Sequence, residues 1–167
     1  MQHAALNALR NSDASVPAEH LAALKRIAES RDGRVRQGGI AAIRRIHSSE
    51  ARAYLVERLG AEVDAGVLTE LAEAVFYYYS LMDATERARL VESMRAAVPY
   101  AVTESSCRGI ATIAIELPSE EGTPLIVNLA RNCTSEWLRT LLDRVLEAMQ
   151  AGETQSDVLH RILWQEN

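Results

Sequence analysis

The feature that most constrains the fold of this chain is a helix-opening pattern that returns four times along its 167 residues. Each copy begins with Asp or Thr, whose side chains cap helix N-termini, and continues with apolar residues at helical spacing. The copies begin at Asp32, Asp64, Thr103 and Thr134, so they start 32, 39 and 31 residues apart. Repeats of this length are typical of stacked pairs of helices.

Aligning the four copies on their first residues brings apolar side chains into common columns. Columns at one side of a helix are expected to be buried together, and the intervening polar columns to face outward. The apolar columns are Ile40, Ala72, Ala111 and Leu142 at eight residues from the cap, Ile43, Val75, Ala114 and Val145 at eleven, and Ile46, Tyr78, Leu117 and Ala148 at fourteen.

Composition and capping signals extend the helical prediction to the whole chain. Only 8 Gly and 4 Pro interrupt the sequence, and the alternation typical of strands is absent. We therefore predict an all-α fold in a single domain, residues 1–167. The predicted helices are 2–11, 17–30, 33–47, 49–60, 65–79, 84–98, 104–117, 124–132, 135–150 and 154–165, with Gly60 and Gly152 as C-terminal stops and Thr123-Pro124 as an opening.

The first copy resembles a known repeat. Residues 32–43, Asp-Gly-Arg-Val-Arg-Gln-Gly-Gly-Ile-Ala-Ala-Ile, are similar to the core of HEAT repeats, particularly the short bacterial kind. The resemblance implies a right-handed α-solenoid of about four hairpins in which this motif opens the second, concave-side helix of each pair. It also implies that Asp32 and Arg36 belong to a polar ladder between repeats. The implied pairs are 17–30 with 33–47, 49–60 with 65–79, 84–98 with 104–117, and 124–132 with 135–150, flanked by 2–11 and 154–165.

The other three copies match this motif less well, since they keep the cap and the apolar columns but not the arginine. Leu68, Cys107 and Leu138 take the place of Arg36. An irregular helical bundle with evenly spaced caps is the alternative architecture.

Charge is distributed unevenly along the chain, whose net charge is −5. Residues 25–58 hold nine basic and four acidic side chains, whereas residues 59–167 hold eight basic and seventeen acidic ones. The outward columns of the capped helices change sign in the same way, which favours a basic protein partner and opposes nucleic acid. The predicted partner-binding residues on this concave face are Arg34, Arg45, Glu70, Glu73, Tyr77, Glu116, Glu136, Asp143 and Glu147.

Aromatic residues and glycines add expectations about packing. Tyr77 falls on an outer position and is a candidate anchor for a partner, since aromatic residues are enriched at interaction hot spots. Tyr78, Tyr79 and Trp137 fall near core positions, and we expect them to be packed. Gly38-Gly39 and Gly109 lie within predicted helices, where we expect them to permit close helix packing.

Residue patterns that carry chemistry are missing from the sequence. There is no glycine-rich phosphate loop and no Gly-x-Ser-x-Gly, and the four histidines and two cysteines lack metal-ligand spacing. We predict no catalytic residue, no metal and no cofactor. The absence of a signal peptide and of a long apolar run predicts a cytoplasmic protein that does not span a membrane.

The function that these features favour is a non-enzymatic protein-binding scaffold of the inhibitor, immunity or adaptor type. Two alternatives stay open. Similar helical repeats occur in alkylpurine DNA glycosylases and in bilin lyase-type proteins, although a glycosylase needs a basic groove for DNA. A structural homo-oligomer that associates through the ends of the stack is the third possibility.

Overall fold

A computed structural model describes residues 15–152, and this part of the chain contains eight α-helices and no strand. The prediction of an all-α fold is confirmed, while the predicted helices 2–11 and 154–165 lie outside the described residues. Short 3-10 turns precede the first helix and follow the fourth and fifth. The helices are α1 (Leu21–Ala28), α2 (Gly33–Ile43), α3 (Ser49–Ala61), α4 (Ala65–Tyr78), α5 (Ala84–Ala97), α6 (Glu104–Glu116), α7 (Ser119–Asn132) and α8 (Glu136–Gln150).

Short polar side chains open most of these helices where the sequence predicts. The carboxylate of Asp64 accepts hydrogen bonds from the amides of Gly66 and Val67 at 2.9 and 3.1 Å. Asp83 and Glu86 form the predicted reciprocal capping box at the start of α5. Such caps are predictable because they depend on residues that are close in sequence.

The fourth copy of the pattern begins one residue later than predicted, at Ser135 rather than Thr134. The Ser135 hydroxyl accepts from the Leu138 amide at 3.3 Å, and its carbonyl accepts the first helical hydrogen bond, from Arg139, at 3.0 Å. The corrected starts are 32, 39 and 32 residues apart. The pattern is therefore more regular than the sequence indicated.

This shift overturns two predictions. Leu138, not Trp137, takes the buried position near the helix start, and Trp137 is 41% exposed. Arg139 takes the position of Arg36, so the first copy is not alone in carrying the arginine. The two guanidinium groups make the same contact: Arg36 donates to the Ser30 carbonyl and Arg139 to the Cys133 carbonyl, each at 3.0 Å and each six residues back.

Two predicted boundaries are also wrong. Helix α7 starts at Ser119, so Pro124 lies inside it; the amides of Glu121 and Gly122 both donate to the Pro118 carbonyl at 2.9 Å and start the helix earlier. Gly60 does not stop α3, which runs to Ala61. A Cβ on Gly60 would lie 3.0 Å from the Ser93 Cα, so this glycine permits a close approach to α5. Gly152 does end its helix as predicted, with φ +75°.

The helices contact one another in two rows that alternate along the chain. The even-numbered helices pack in the order α2, α4, α6, α8, and the odd-numbered helices α3, α5 and α7 pack in sequence beside them. Neighbours in the chain, such as α3 with α4 and α7 with α8, join the rows. One continuous apolar core lies between them and contains all the members of the three predicted apolar columns.

Two of the glycines lie where neighbouring helices approach closely. A Cβ on Gly39 would lie 2.6 Å from the Ala28 backbone nitrogen, and a Cβ on Gly109 would lie 2.8 Å from the Ala72 Cβ. Any larger side chain would separate α1 from α2 in the first case and α4 from α6 in the second. The expectation of close packing is confirmed at both positions.

Most ion pairs of the basic segment join one copy of the pattern to the next. The guanidinium of Arg36 pairs with Glu62 at 3.1 Å and with Asp64 at 3.6 Å, which is a contact of the kind that the resemblance implied. The same role is played by Lys25 with Glu50 at 2.8 Å, Arg44 with Glu73 at 3.6 Å and Arg52 with Glu86 at 3.2 Å. Much of the charge asymmetry in the sequence is therefore neutralised inside the fold.

A candidate interaction groove between two helices

An open groove of about 840 Å³ runs between α4 and α6. Its floor is made of small side chains because the two helices approach closely at Ala72 and Gly109. Glu73 and Tyr77 rise from α4 on one side, and Glu116 rises from α6 on the other. The groove forms because small residues at its floor alternate with large residues at its sides along α4 and α6.

Exposed aromatic side chains border this groove. Tyr77 is 54% exposed and Phe76 is also exposed, and both line it. Trp137 lies on the same face, with the guanidinium of Arg108 4.8 Å from its ring centre. Arg108 in turn pairs with Glu104 at 3.1 Å, which holds the arginine between a carboxylate and an aromatic ring. Large exposed aromatics on one face are typical of interaction surfaces.

The three consecutive tyrosines divide into two structural residues and one free ring. The Tyr78 hydroxyl donates to the carbonyls of Arg44 and Ile46 at the end of α2, and the Tyr79 hydroxyl donates to the Glu116 carbonyl at the end of α6 at 2.6 Å. Helix α4 thereby holds the C-terminal ends of both its neighbours. Burial raises the pKa of Tyr78 to about 12 and also raises the pKa of Tyr79.

Tyr77 directly precedes these two residues in sequence but projects into the groove. Its ring meets the ring of Tyr78 edge to face at 5.1 Å, and the ring of His47 lies 6.2 Å away. The expectation that Tyr78 and Tyr79 are packed and that Tyr77 is exposed is confirmed. The aromatic neighbours restrict the ring of Tyr77, which lowers the entropy cost of using it as a contact.

One end of the groove is electrically negative. The C-terminal ends of α2, α4 and α6 meet there through the two tyrosine hydroxyls, and each helix end carries partial negative charge. Glu73 adds a carboxylate whose pairing with Arg44 is a 3.6 Å contact between partly exposed groups. Glu116 is half-buried, and no cation among residues 15–152 forms an ion pair with it. This end favours a cationic group.

The structure brings together three of the nine predicted contact residues, Glu73, Tyr77 and Glu116. Arg34 lies with Asp64 in a separate polar hollow at the other end of α2. The remaining members lie outside the groove: Arg45 is half-buried at the end of α2, and Glu136 and Glu147 are exposed on α8.

One of the predicted contact residues, Glu70, is placed wrongly, and another, Asp143, lies away from the groove. Glu70 is 4% exposed and does not face outward, because α4 is packed against both α2 and α6. Asp143 lies in a hollow with Val127 and Arg131 of α7. It is exposed there, outside the groove, while its neighbour Leu142 fills the buried position in the column of Ile40.

Sequence reasoning missed Phe76, Arg108 and Trp137 as parts of this face. Phe76 and Arg108 line the groove, and Trp137 stacks on Arg108. The register of the first three copies was sufficient to find Phe76, which is adjacent to Tyr77 on α4. To predict Trp137 as part of this face, the correct start of α8 was needed. Arg108 was missed because the outward columns after the first copy are mainly acidic.

Among residues 15–152 there is no group of three or more His, Cys, Asp or Glu side chains that could hold a metal ion. Within the same part of the chain, no helix combines the length and apolar character needed to cross a membrane. Both cysteines are buried, and burial raises the pKa of the Cys107 thiol to about 12, so this group is a protonated packing residue at neutral pH.

Similarity to other proteins gives no further guide to the groove's role. The sequence matches no protein-family model, and comparisons with curated proteins and with solved structures find no significant match. The function therefore has to be argued from the groove itself.

Proposed function

We propose that this chain is a non-enzymatic HEAT-like repeat protein that binds another protein, as an adaptor or as an inhibitor, through the groove between α4 and α6. One observation carries the proposal: an open groove of about 840 Å³ is bordered by exposed Tyr77 and Phe76 and by two carboxylates, Glu73 and Glu116. Exposed aromatics beside charged groups are typical of binding hot spots.

The arrangement of helices supports a right-handed solenoid of about four hairpins. The even-numbered helices contact one another in order, as the second helices of stacked hairpins do. Arg36 and Arg139 make the same backbone contact in the first and fourth copies. In such a stack the even-numbered row would form the concave side, and the groove would lie at its centre.

A protein is the ligand class that the groove favours. Its opening is broad, and its lining mixes apolar and charged side chains. Its acidic end disfavours nucleic acid, whose binding depends on neutralising phosphate charge. Two cysteines that are buried and not joined in a disulfide are consistent with action in a reducing cytoplasm.

Affinity purification from the source cells tests the proposal, with the wild-type chain compared with three variants. We expect Tyr77→Ala and Glu73→Lys to lose partners that the wild type recovers. Tyr100→Ala is the matched control, because Tyr100 is 44% exposed but lies in the turn between α5 and α6 and does not line the groove.

Each recovered partner is then titrated against the purified variants. We expect Tyr77→Ala to weaken binding by about 2 kcal/mol or more, the size of a hot-spot effect, and Tyr100→Ala to leave it unchanged. Equal binding by Tyr77→Ala, Glu73→Lys and the wild type would show that the groove is not the binding surface.

A further inference from the structure

The length of the groove limits what it can hold. On α4 and the 3-10 turn that follows it, the lining extends from Thr69 to Ser80, and on α6 from Glu104 to Glu116. At 1.5 Å per helical residue these stretches are roughly 16 and 18 Å long. A segment of that length is about three turns of helix, or about five residues of extended chain.

The polar groups of the walls favour a helical occupant over an extended one. Both walls are α-helices, whose backbone groups are already hydrogen-bonded within each helix. The hydroxyls of Thr69 and Thr112 also donate to their own helices, to the carbonyls of Ala65 at 3.1 Å and Arg108 at 2.9 Å. The walls therefore offer no backbone edge with which an extended segment could pair, whereas a helix satisfies its own amides and carbonyls.

The floor of the groove has the shape of a packing hole. Thr69 and Ala72 on α4 face Gly109 and Thr112 on α6, and all four side chains are small. Small residues on two neighbouring helices leave a depression between them that can accept an apolar side chain of a third helix. Phe76, one turn further along α4, offers an apolar surface for the next turn of an occupant.

The negative end of the groove adds a charge requirement. Glu116 lacks an ion pair among the described residues, and Glu73 lies across the groove with its partly exposed partner Arg44. The C-terminal ends of α2, α4 and α6 meet at the same place. A lysine or arginine on the occupant would complement these groups, and an acidic residue would be repelled.

From the length, the polar groups, the shape and the charge together, we infer that the occupant of this groove is an amphipathic, cationic α-helix of about three turns from another protein. Its apolar side chains enter the hole and contact Phe76 and Tyr77, and its basic side chain lies beside Glu116 and Glu73. This inference rests on the proposed function and specifies the chemistry of the partner.

A selection from a display library of random 12-residue peptides tests the inference and does not require the natural partner. The wild-type chain is the target, and enriched peptides are synthesised and titrated by fluorescence anisotropy. We expect apolar residues at i, i+3 or i+4, and i+7, at least one Lys or Arg, and a gain of helical circular dichroism on binding.

Variants of the groove then locate the bound peptide. We expect Tyr77→Ala to weaken binding about 10-fold or more. Glu116→Lys should weaken it about 10-fold, and replacing the basic residue of the peptide by Glu should restore binding to this variant. Glu92→Lys changes a 71% exposed carboxylate on α5, away from the groove, and should leave the affinity within 2-fold.

The outcomes separate this inference from the proposed function. Enriched peptides that are proline-rich, that stay non-helical when bound or that lack a basic residue would overturn the inference. If Tyr77→Ala still weakened their binding, the groove would keep its role as a binding surface. Peptides that bind Tyr77→Ala and the wild type equally would overturn both, and a selection that enriches no peptide would overturn the helical occupant alone.

Discussion

The N-terminal region, residues 21–86, and the C-terminal region, residues 104–150, carry the same capped-helix pattern but are held together differently. In the N-terminal region, ion pairs such as Arg36–Glu62 and Arg52–Glu86 join one copy of the pattern to the next. In the C-terminal region the pair Arg108–Glu104 lies within one helix. Close backbone contacts occur in both regions, between Gly122 and Ala114 in the C-terminal one and between Gly39 and Ala28 in the N-terminal one.

This difference changes the meaning of the charge asymmetry in the sequence. Several of the basic residues of the N-terminal region are paired with acidic residues that follow them, as in Arg36–Glu62, Arg44–Glu73 and Arg52–Glu86. Glu116 lies just beyond this network, and it is also the carboxylate at the negative end of the groove. Paired charges in the N-terminal region stabilise the packing of its helices, whereas the carboxylate of Glu116, just beyond this region, is available to a partner.

The largest expected effect concerns the backbone contact in the C-terminal region. A Cβ at Gly122 would lie 2.1 Å from the Ala114 carbonyl oxygen, which neither helix can avoid without moving. We expect Gly122→Ala to lower the free energy of unfolding by about 3 kcal/mol or more, as measured by urea denaturation.

Gly66→Ala is the control from the N-terminal region. A Cβ there would lie 3.1 Å from the end of the flexible Gln37 side chain. Alanine is favoured over glycine in a helix by up to about 1 kcal/mol, so this variant should be neutral or more stable. Equal stabilities of Gly122→Ala and Gly66→Ala would show that the close backbone contact at Gly122 does not limit the stability of the fold.

The next effect compares the same position in the two regions. Arg36→Met leaves Glu62, which is only 3% exposed, with Arg58 as its remaining cationic partner, and we expect the free energy of unfolding to fall by about 2–3 kcal/mol. In Arg139→Met, the hydrogen bond that this exposed arginine donates to the Cys133 carbonyl is lost. We expect the free energy of unfolding to fall by about 1 kcal/mol. Thermal or urea unfolding of both variants measures the difference, and equal losses would contradict the distinction between regions.

The packing of α4 against the end of α2, within the N-terminal region, is expected to be sensitive to alkaline pH. Burial raises the pKa of Tyr78 from its ordinary value of 10 to about 12, so the neutral hydroxyl contributes stability that is fully present below pH 10. That contribution, about 2 kcal/mol, is lost as the pH rises from 10 through 12. Urea unfolding across this range should show a flatter pH dependence for Tyr78→Phe than for wild type.

Tyr54 provides an internal comparison, because burial also raises its pKa to about 12. The Tyr78→Phe variant should therefore keep part of the alkaline loss of stability. A wild-type chain whose stability is unchanged between pH 10 and 12 would show that neither tyrosine is protected as described.

The helices could be predicted from the sequence because caps and apolar spacing are local, and the side chains of Asp64 and Asp83 are sufficient to place their helices. The start of α7 was missed because Pro118 and the contact of Gly122 with α6 outweigh the opening signal of Thr123-Pro124. The groove was predicted only in part, through Glu73, Tyr77 and Glu116. Its floor depends on which residues of α4 and α6 lie opposite each other, and sequence spacing does not fix that register.

The smallest expected effect separates carboxylates that stabilise the fold from those that face a partner. Glu73→Gln weakens a 3.6 Å pair between partly exposed groups, so the free energy of unfolding should change by less than about 0.5 kcal/mol. Glu62→Gln, the same substitution at a buried carboxylate held by two arginines, should cost several times more.

In a peptide or partner titration the order should reverse, with Glu73→Gln weakening binding and Glu62→Gln leaving it unchanged in the folded protein. A Glu73→Gln variant that loses stability but keeps its affinity would place Glu73 with the stabilising charges of the N-terminal region and remove it from the proposed interface.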